Sequence, residues 1–366
     1  MNVYNLMIVI FLVMSVILLF IKKITNRRLK LFIGILLITL TAFPMIIYPH
    51  VTSKIHYNMQ TFDFYRYYWQ IDMLRLSNFD TVIKFLFEKP WFIFRIIQLL
   101  VAKISNNNSL LFMIIIPIIV SIFGYFLIDN MKYDESKNNI RLYILSSLFV
   151  FISIINSNHM FSGLRNALSI SIFSYGYYLI KEKNNKIGIF LIILSIFVHP
   201  SALIYLLILY IEKYEKNKRT TCVLMLFSGL IYVALTKFID LQSDFVILEK
   251  IQYYSNESNY YNKKILILEL IQLLSIISII RDINKKNTKL SFLYYSCLFV
   301  VGFIFKTTFF VRVRFILAFL FPFIVKNAYN EHIEIKNRTI VIILVSSLIS
   351  LIYYLDFINM VGGAII

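Results

Sequence analysis

Long apolar runs recur along this chain and limit its fold more than any other feature. Runs of about 18 or more mostly apolar residues, each long enough to cross roughly 30 Å of hydrocarbon as a helix, recur from Tyr4 to Tyr354. A helix satisfies its own backbone hydrogen bonds, so the runs indicate a helical bundle. Only 15% of the 366 residues are charged, which excludes an ordinary cytosolic protein. The pattern predicts an all-α polytopic integral membrane protein.

The apolar runs predict about ten transmembrane helices within one polytopic membrane domain that covers residues 1–366. The predicted spans are 4–21, 30–48, 110–128, 142–156, 162–180, 221–239, 264–280, 290–305, 309–325 and 339–355. The first run is longer than a signal-peptide core, and no small-residue cleavage pattern follows it. We therefore expect it to be a span and the mature protein to begin at residue 1.

One further run, residues 186–211, does not fit a simple span, because Pro200 lies near its middle and directly follows His199. Proline removes an intrahelical hydrogen bond and biases the preceding residue away from helical dihedral angles. The run therefore reads either as one kinked span or as a broken helical hairpin that returns to its starting side. A first arm of about twelve residues would reach about 18 Å and would place His199 near or just beyond mid-membrane.

The distribution of basic residues decides between these two interpretations. With a hairpin, six loops face the same side and together hold 22 of the 37 Lys and Arg residues. These loops are 22–30, 129–141, 181–186, 212–220, 281–289 and 326–338. A simple span would put the four basic residues of 212–220 on the opposite side and reverse everything downstream. The positive-inside rule therefore favours the hairpin, with both termini external.

Two external segments are longer than the other connections. Residues 49–109 contain acidic residues and many tyrosines, followed by an apolar stretch at 91–104. Arg95 and Lys103 within that stretch favour an interfacial or re-entrant helix over a span. The second segment, 240–263, is polar and rich in Tyr and Asn. It suits a loop that meets sugars or lipid headgroups, and equally a solvated loop with aromatic belt residues.

The charge and the cysteines exclude several other classes of protein. The formal net charge is +18, but the basic residues form short clusters between apolar runs, which indicates topology signals and no nucleic-acid partner. Cys222 and Cys297 have no partner nearby in sequence and support neither a disulfide framework nor a metal site. The sequence has no Walker-type glycine loop, Cys/His metal spacing or G-x-S-x-G elbow. We expect no metal and no cofactor.

Arginines at membrane depth are costly and need an explanation. Arg165, in SNHMFSGLRNALSISIF, lies one turn inside the outer end of its span. At this position it is either an anchor whose side chain reaches the interface or a functional group. Arg312 and Arg314 lie at another external helix start, about 200° apart on a regular helix, so we expect one of them to be structural. Guanidinium groups bind phosphate oxygens bidentately. These arginines indicate a phosphate-bearing lipid ligand.

A few other polar residues are candidates for chemistry. His199 lies at the proline break, where irregular backbone is tolerated only against protein or a wet cavity, although a lone buried histidine is more often packing. Asp63 opens the aromatic cluster TFDFYRYYWQ, in which Tyr65 and Tyr68 either stack on sugar rings or form an interfacial girdle. His159 lies in the short external turn before the arginine-bearing span and is a candidate for binding.

Five motifs follow one another across about residues 60–325. They are DFYRYY, EKPWFIFRIIQLL, GLRNALSISIF, FVHPSALIYLLIL and VRVRFILAFLFPF. This order, above all an arginine-bearing span followed by an F-x-H-x-S-A hairpin, resembles the EpsG/Wzy group of bacterial polysaccharide (O-antigen) polymerases. The chain departs from that pattern at Pro200, where the family often has lysine, and at Asn166, where glutamine is common.

The resemblance implies a GT-C-like membrane transferase bundle in the bacterial inner membrane, with its active site and the segments 49–109 and 240–263 on the periplasmic side. Such an enzyme joins oligosaccharide repeat units carried on undecaprenyl pyrophosphate. The hydroxyl of one lipid-linked unit attacks the anomeric carbon of the growing chain, and undecaprenyl pyrophosphate leaves. The implied partners are this lipid-linked oligosaccharide, the bilayer and a chain-length regulator, without nucleic acid.

The resemblance also implies roles for single residues. Arg165 and Arg314 match the family's arginines and would stabilise the departing pyrophosphate. His199 matches the hairpin histidine and Asp63 the loop acid, and either would orient or deprotonate the acceptor hydroxyl. The candidates for substrate binding are Tyr65, Tyr68, His159 and Arg312.

Two other classes of function compete with the polymerase. One is a related transferase, either an O-antigen ligase or a glycosyltransferase that uses a polyprenyl-phosphate sugar. The other is a flippase for the same lipid-linked unit. A flippase is expected to distribute charged residues along a central path, whereas the embedded arginines here gather at the outer ends of the spans. That pattern favours an enzyme, and cations placed at a leaving pyrophosphate supply the main stabilisation that a metal-independent transfer needs.

Overall fold

The computed structural model describes residues 63–89, 91–132, 163–203, 217–238, 263–282, 290–305 and 336–362, with a few single positions outside these ranges. Ten helices have both ends within this part of the chain, and no strand occurs in it. They are α1 (Asp63–Leu76), α2 (Phe79–Phe87), α3 (Phe92–Ile104), α4 (Leu110–Lys132), α5 (Leu164–Lys183), α6 (Ile187–Val198), α7 (Lys218–Phe238), α8 (Lys263–Asp282), α9 (Leu290–Phe305) and α10 (Asn337–Gly362). The prediction of an all-α fold is confirmed for these residues.

Six of the predicted apolar spans are helices in the structure. These are 110–128, 162–180, 221–239, 264–280, 290–305 and 339–355, which correspond to α4, α5, α7, α8, α9 and α10. The predicted spans 4–21, 30–48 and 142–156 lie outside the described residues apart from Val13, and 309–325 is described only at single positions.

Within the described ranges, no helix combines the length and the apolar character needed to cross a membrane.

Contacts divide the chain into two compact units. The first comprises Met1–Ser147, Ser157–Tyr205 and Leu351–Ile366, and the second comprises Leu148–Asn156 and Leu206–Ser350. Helices α1 to α6 all belong to the first unit. In the second unit, Asp282 at the end of α8 accepts hydrogen bonds from the backbone N–H of Lys336, at 3.0 Å, and from the Thr339 hydroxyl. A carboxylate at this position satisfies donors at the start of α10.

Within the predicted external segment 49–109, the described residues from 63 onward form helices α1 to α3. Most of the apolar stretch at 91–104 lies in α3, and residues 63–70 of the aromatic cluster lie in α1, where a loop was expected. The two helices pack through Tyr67 and Phe94, whose ring centres lie 5.2 Å apart. Arg75 at the end of α1 donates to the Ser105 carbonyl at 2.8 Å. These contacts fix α1 across α3 and so fix the position of Tyr67.

Helices α5 and α6 form an antiparallel pair with a short turn. Asn184 ends α5 with φ of 49°, a left-handed conformation that asparagine tolerates better than most residues. The Asn185 carboxamide oxygen accepts from the Ile187 N–H at 2.9 Å and starts α6. A Cβ on Gly176 would lie 2.6 Å from the Gly188 carbonyl oxygen, so the two backbones approach as closely as only glycine permits.

The predicted break at Pro200 is present. Helix α6 has 12 residues and ends at Val198, and His199 is extended, with φ of −158° and ψ of 128°. Twelve helical residues span about 18 Å. The Ser169 hydroxyl of α5 donates to the Ser195 carbonyl at 2.8 Å and lies 3.3 Å from the His199 carbonyl oxygen. This serine satisfies carbonyls at the end of α6 and holds the break beside the first turns of α5.

Candidate functional site

The break after α6 and the start of α5 meet through a chain of side-chain contacts. The Ser201 hydroxyl donates to the Asn166 carboxamide oxygen at 2.6 Å and lies 2.8 Å from His199 Nδ1. The backbone N–H of Ser201 donates to the same ring nitrogen at 3.2 Å. Asn166 is buried, so its polar group needs such a partner. One edge of the His199 ring is therefore fixed to α5.

Trp91, the residue before α3, contacts both of the strongest sequence candidates. Its ring centre lies 6.3 Å from that of His199, with 21° between the ring planes. The guanidinium carbon of Arg165 lies 4.9 Å from the Trp91 ring centre. A cation is attracted to the face of an indole ring, and tryptophan is the best such partner. Trp91 thus joins the predicted arginine and the predicted histidine across three separate segments of the chain.

Two more aromatic rings surround the Arg165 side chain. Its guanidinium carbon lies 5.5 Å from the Tyr67 ring centre and 5.8 Å from that of Phe94. Its Nε donates to the Tyr67 hydroxyl at 3.3 Å. A guanidinium that stacks through its face keeps its N–H donors in the plane, the geometry that matches phosphate oxygens. The aromatic rings and the Tyr67 hydroxyl therefore hold the Arg165 side chain in place.

Arg95 brings a second guanidinium group to Trp91. Its side chain is buried; it donates to the Phe85 carbonyl and to Glu88 Oε2, the latter at 3.3 Å. Burial lowers the pKa of Arg95, the Glu88 carboxylate opposes that shift, and the charge of Arg165 adds to the lowering. The guanidinium carbon of Arg95 lies 6.0 Å from the Trp91 ring centre and that of Arg165 lies 4.9 Å from it, so two positive charges share one indole ring. An anionic ligand would relieve their repulsion.

The structure places two of the four predicted catalytic residues together and leaves the others without a described side chain. Arg165 and His199 share Trp91 as a neighbour. Asp63 is the first residue of α1, one turn before Tyr67, and its side chain lies outside the described part. Arg314 lies outside the described residues altogether.

The predicted substrate-binding residues are placed as follows. Tyr68 is 7% exposed and its ring packs edge-on against Phe112, with the ring centres 6.1 Å apart, so here it contributes to packing. Tyr65 belongs to α1, without a described side chain. His159 and Arg312 fall outside the described residues.

Sequence reasoning missed four residues of the site. They are Tyr67, Trp91, Asn166 and Ser201. Asn166 directly follows Arg165 and Ser201 lies two residues after His199, so adjacency to a candidate was a usable signal. Tyr67 directly precedes the candidate Tyr68 and had the same signal, whereas Trp91 is adjacent to no candidate.

The site offers cationic, imidazole and aromatic groups to a ligand. Among the residues that the structure describes, no group of three or more His, Cys, Asp or Glu side chains is arranged to hold a metal ion. The described groups can bind an anion through Arg165, exchange a proton or hydrogen bond through His199 and exclude water through the aromatic rings. Such a set suits the transfer of a group from an anionic leaving group.

Comparison with known proteins identifies the family. No curated protein and no solved structure matches the chain significantly. A family model described as the EpsG family matches residues 41–365, a range that contains every described residue of the site. The match covers far more than half of the chain and agrees with the resemblance carried by the five motifs. The chain belongs to the EpsG family, a family of membrane proteins with a polysaccharide-polymerase-like, glycosyltransferase role.

Proposed function

We propose that this protein is a polysaccharide (O-antigen) polymerase that joins undecaprenyl-pyrophosphate-linked oligosaccharide repeat units. The acceptor hydroxyl of one unit attacks the anomeric carbon of the growing chain. A new glycosidic C–O bond forms, the C–O bond to pyrophosphate breaks, and undecaprenyl pyrophosphate leaves with the bonding electron pair. Membership in the EpsG family supports a polymerase-like role. The lipid-linked identity of the substrate is part of what we propose.

The observation that carries the proposal is the contact of Trp91 with both Arg165 and His199. The guanidinium carbon lies 4.9 Å, and the imidazole centre 6.3 Å, from the centre of the indole ring. This transfer needs positive charge where the pyrophosphate departs and a group that receives the acceptor's proton. Arg165 supplies the first and His199 is a candidate for the second, at neighbouring positions.

Two further residues take roles in the proposed reaction on the basis of sequence alone. Arg314 is a second arginine for the leaving group, and Asp63 is the alternative to His199 as the base. The donor is already activated by its pyrophosphate, so the reaction needs no nucleotide. Guanidinium groups stay charged at every relevant pH and take the place of a metal ion.

We place the protein in the bacterial inner membrane as a multi-pass protein with its site facing the periplasm. The support is the charge pattern, in which 22 of the 37 Lys and Arg residues fall in loops that a hairpin arrangement puts on one side. The bilayer, the lipid-linked oligosaccharide and a chain-length regulator are the proposed partners.

Deletion of the gene tests the proposed function against its competitors. Cells that lack a polymerase should display lipopolysaccharide core capped by single repeat units. Loss of a flippase would leave no repeats, and loss of a ligase would leave long chains on the carrier lipid. An unchanged ladder of chain lengths in the deleted strain would refute the proposal.

Arg165→Ala tests the site within the same assay. We expect this variant to lose long chains while the protein remains in the membrane, because the departing pyrophosphate loses its cation. Arg281→Ala is the matched control, since Arg281 is an exposed arginine in the last turn of α8. Full-length chains from Arg165→Ala would remove Arg165 from the mechanism.

A further inference from the structure

We propose that helices α2 and α3 form a lipid-contacting surface that lies in the outer leaflet of the bilayer. This surface consists of six exposed apolar side chains, those of Phe79, Ile83, Phe87, Ile96, Leu100 and Ile104. The chain belongs to a family of membrane proteins, and the predicted external placement of segment 49–109 selects the outer leaflet. This role is separate from the proposed polymerase reaction and does not require it.

Helix α3 carries its polar side chains inside and its apolar side chains outside. Arg95 and Gln98 are buried, and the Gln98 side chain donates to the Gln70 carboxamide oxygen at 3.0 Å. The exposed side chains of α3 are those of Ile96, Leu100, Lys103 and Ile104. A helix that borders water has the opposite arrangement, with polar residues on its exposed side. The exposed side of α3 therefore fits hydrocarbon, and Lys103, the one charged group among these four, lies in the last turn.

Helix α2 has three distinct sides. One side packs on protein, because Val82 is buried and the guanidinium carbon of Arg95 lies 4.3 Å from the Phe85 ring centre. A second side exposes the polar side chains of Asp80, Thr81 and Lys84. Between these two sides, within an arc of about 80° on a regular helix, lie three apolar side chains that are 75%, 42% and 73% exposed, those of Phe79, Ile83 and Phe87. A helix with protein-facing, apolar and polar sides fits a membrane interface, where it borders protein, acyl chains and water.

Neither helix is long enough to cross the bilayer. Helix α2 has 9 residues and α3 has 13, which span about 14 and 20 Å, whereas the hydrocarbon core is roughly 30 Å thick. Each helix therefore fits within one leaflet. Trp91 lies between the two helices, and the guanidinium carbon of Arg165 lies 4.9 Å from the centre of its ring. A surface placed in the leaflet would hold Arg165 near the headgroups, at the depth of lipid phosphates.

The charges around this surface favour lipid over a protein partner. Residues 79–104 contain two acidic side chains, Asp80 and Glu88, and four basic ones, Lys84, Lys89, Arg95 and Lys103, which gives a net charge of +2. Lys84 and Lys103 are exposed, and each lies in the last turn of its helix. A lysine stem can lie along an apolar surface while its ammonium group reaches anionic headgroups. Lysine is depleted in protein–protein interfaces, so the bilayer is the occupant that fits this surface.

Tryptophan fluorescence of the full-length protein, in nanodiscs of phosphatidylcholine and phosphatidylglycerol, tests this surface. The chain has two tryptophans, Trp69 and Trp91, so Trp69→Phe leaves only Trp91, which is buried. In that background, Phe87→Trp and Leu100→Trp place a reporter on the surface, and Thr81→Trp, the matched control, places one on the polar side of α2. Brominated acyl chains quench tryptophans that contact lipid, and acrylamide quenches tryptophans that contact water.

We expect Phe87→Trp and Leu100→Trp to lose most of the reporter emission to brominated lipid and little to acrylamide, because a helix face buried about 5–10 Å into the boundary between headgroups and acyl chains contacts those chains. Thr81→Trp should show the reverse. Ile83→Trp repeats the measurement one turn before Phe87, so the test does not depend on the folding of a single variant. Thermal unfolding of each variant shows whether it is folded.

Strong acrylamide quenching at the surface positions would show that the surface faces water and would overturn the lipid-contacting role. Protection from both quenchers would show that protein covers the surface, either a second copy of the chain or another partner, and would overturn it equally. The measurement uses no substrate. An unchanged chain-length ladder in the deleted strain, together with lipid quenching, would therefore refute the proposed function alone, whereas acrylamide quenching with the expected loss of long chains would refute only the lipid-contacting role.

Discussion

The guanidinium carbon of Arg165 lies 4.9 Å from the centre of the Trp91 ring. Trp91 precedes α3 and Arg165 lies in the first turn of α5. Their contact therefore connects the predicted external segment 49–109 to helix α5. The same indole ring stacks on His199 at the break after α6. One side chain thus sets the mutual position of the three segments that form the candidate site.

Trp91→Ala should abolish this arrangement. Truncation of a buried tryptophan costs about 3–5 kcal/mol, and here it also removes the surface shared by Arg165 and His199. Trp91→Phe keeps an aromatic face, though a weaker one for a cation. We expect about tenfold less polymer from Trp91→Phe and none from Trp91→Ala, measured as chain-length ladders at equal membrane protein. Wild-type ladders from Trp91→Ala would show that the shared ring has no role in the site.

Tyr67 and Tyr68 provide a matched pair. The Tyr67 hydroxyl accepts a hydrogen bond from Arg165 Nε at 3.3 Å, whereas the Tyr68 ring packs on Phe112. Tyr67→Phe removes that hydrogen bond and keeps the ring, so we expect a three- to tenfold drop in polymer, since a hydrogen bond to a charged group contributes about 1 kcal/mol or more. Tyr68→Phe should leave polymer formation within about twofold. A larger effect at Tyr68 would show that its hydroxyl has a role beyond the packing of its ring on Phe112.

The Arg95–Glu88 pair should respond unequally to loss of either partner. The Arg95 side chain is 5% exposed and that of Glu88 is 52% exposed. Glu88→Gln therefore costs about 1 kcal/mol or less, because solvent screens an exposed carboxylate. Arg95→Ala removes a buried side chain that also covers the Phe85 ring at 4.3 Å, and should cost about 3 kcal/mol. Thermal unfolding of the purified variants measures both, and equal effects would contradict the assigned burial.

The close approach of α5 and α6 should not tolerate an added methyl group. A Cβ on Gly176 would lie 2.6 Å from the Gly188 carbonyl oxygen and 3.1 Å from the Ile192 nitrogen, and neither backbone atom can move alone. Alanine gains about 1 kcal/mol of helix propensity, but overpacking costs about 1–3 kcal/mol. We expect Gly176→Ala to lower the unfolding temperature by several degrees. Ile193→Ala, at an exposed α6 position, is the control.

The turn between α5 and α6 depends on a left-handed residue. Asn184 has φ of 49°, and a residue with a Cβ but no polar group to bond locally pays about 1–2 kcal/mol there. Asn184→Ala should therefore destabilise the protein by about 1 kcal/mol, whereas Asn184→Gly should be neutral or slightly stabilising. Calorimetry of the two variants checks the order, and greater stability of the alanine variant would exclude the left-handed turn.

The sequence by itself determined where the helices lie and where one of them breaks. Hydropathy located α9 at its observed bounds and placed the other described spans within a few residues of their helices, except that the predicted span 339–355 ends well before α10 does, at Gly362. Pro200 determined the break at His199, because a proline cannot continue the hydrogen-bond ladder. These features depend on residues that lie close together in the sequence, so the sequence alone predicts them. The order of the five motifs likewise indicated the family.

Only the tertiary structure decided which side chains meet. Trp91 and Arg165 are far apart in sequence, and neither local sequence pattern predicts that their side chains are in contact. Helix α1 was missed because its apolar residues are interspersed with charged ones, and its packing on α3 through Tyr67 and Phe94 stabilises it where local hydropathy does not. The glycines of α5 and α6 set the distance between these helices, and that distance brings Asn166 within reach of Ser201. Local sequence supplied the candidates, and long-range packing selected their neighbours.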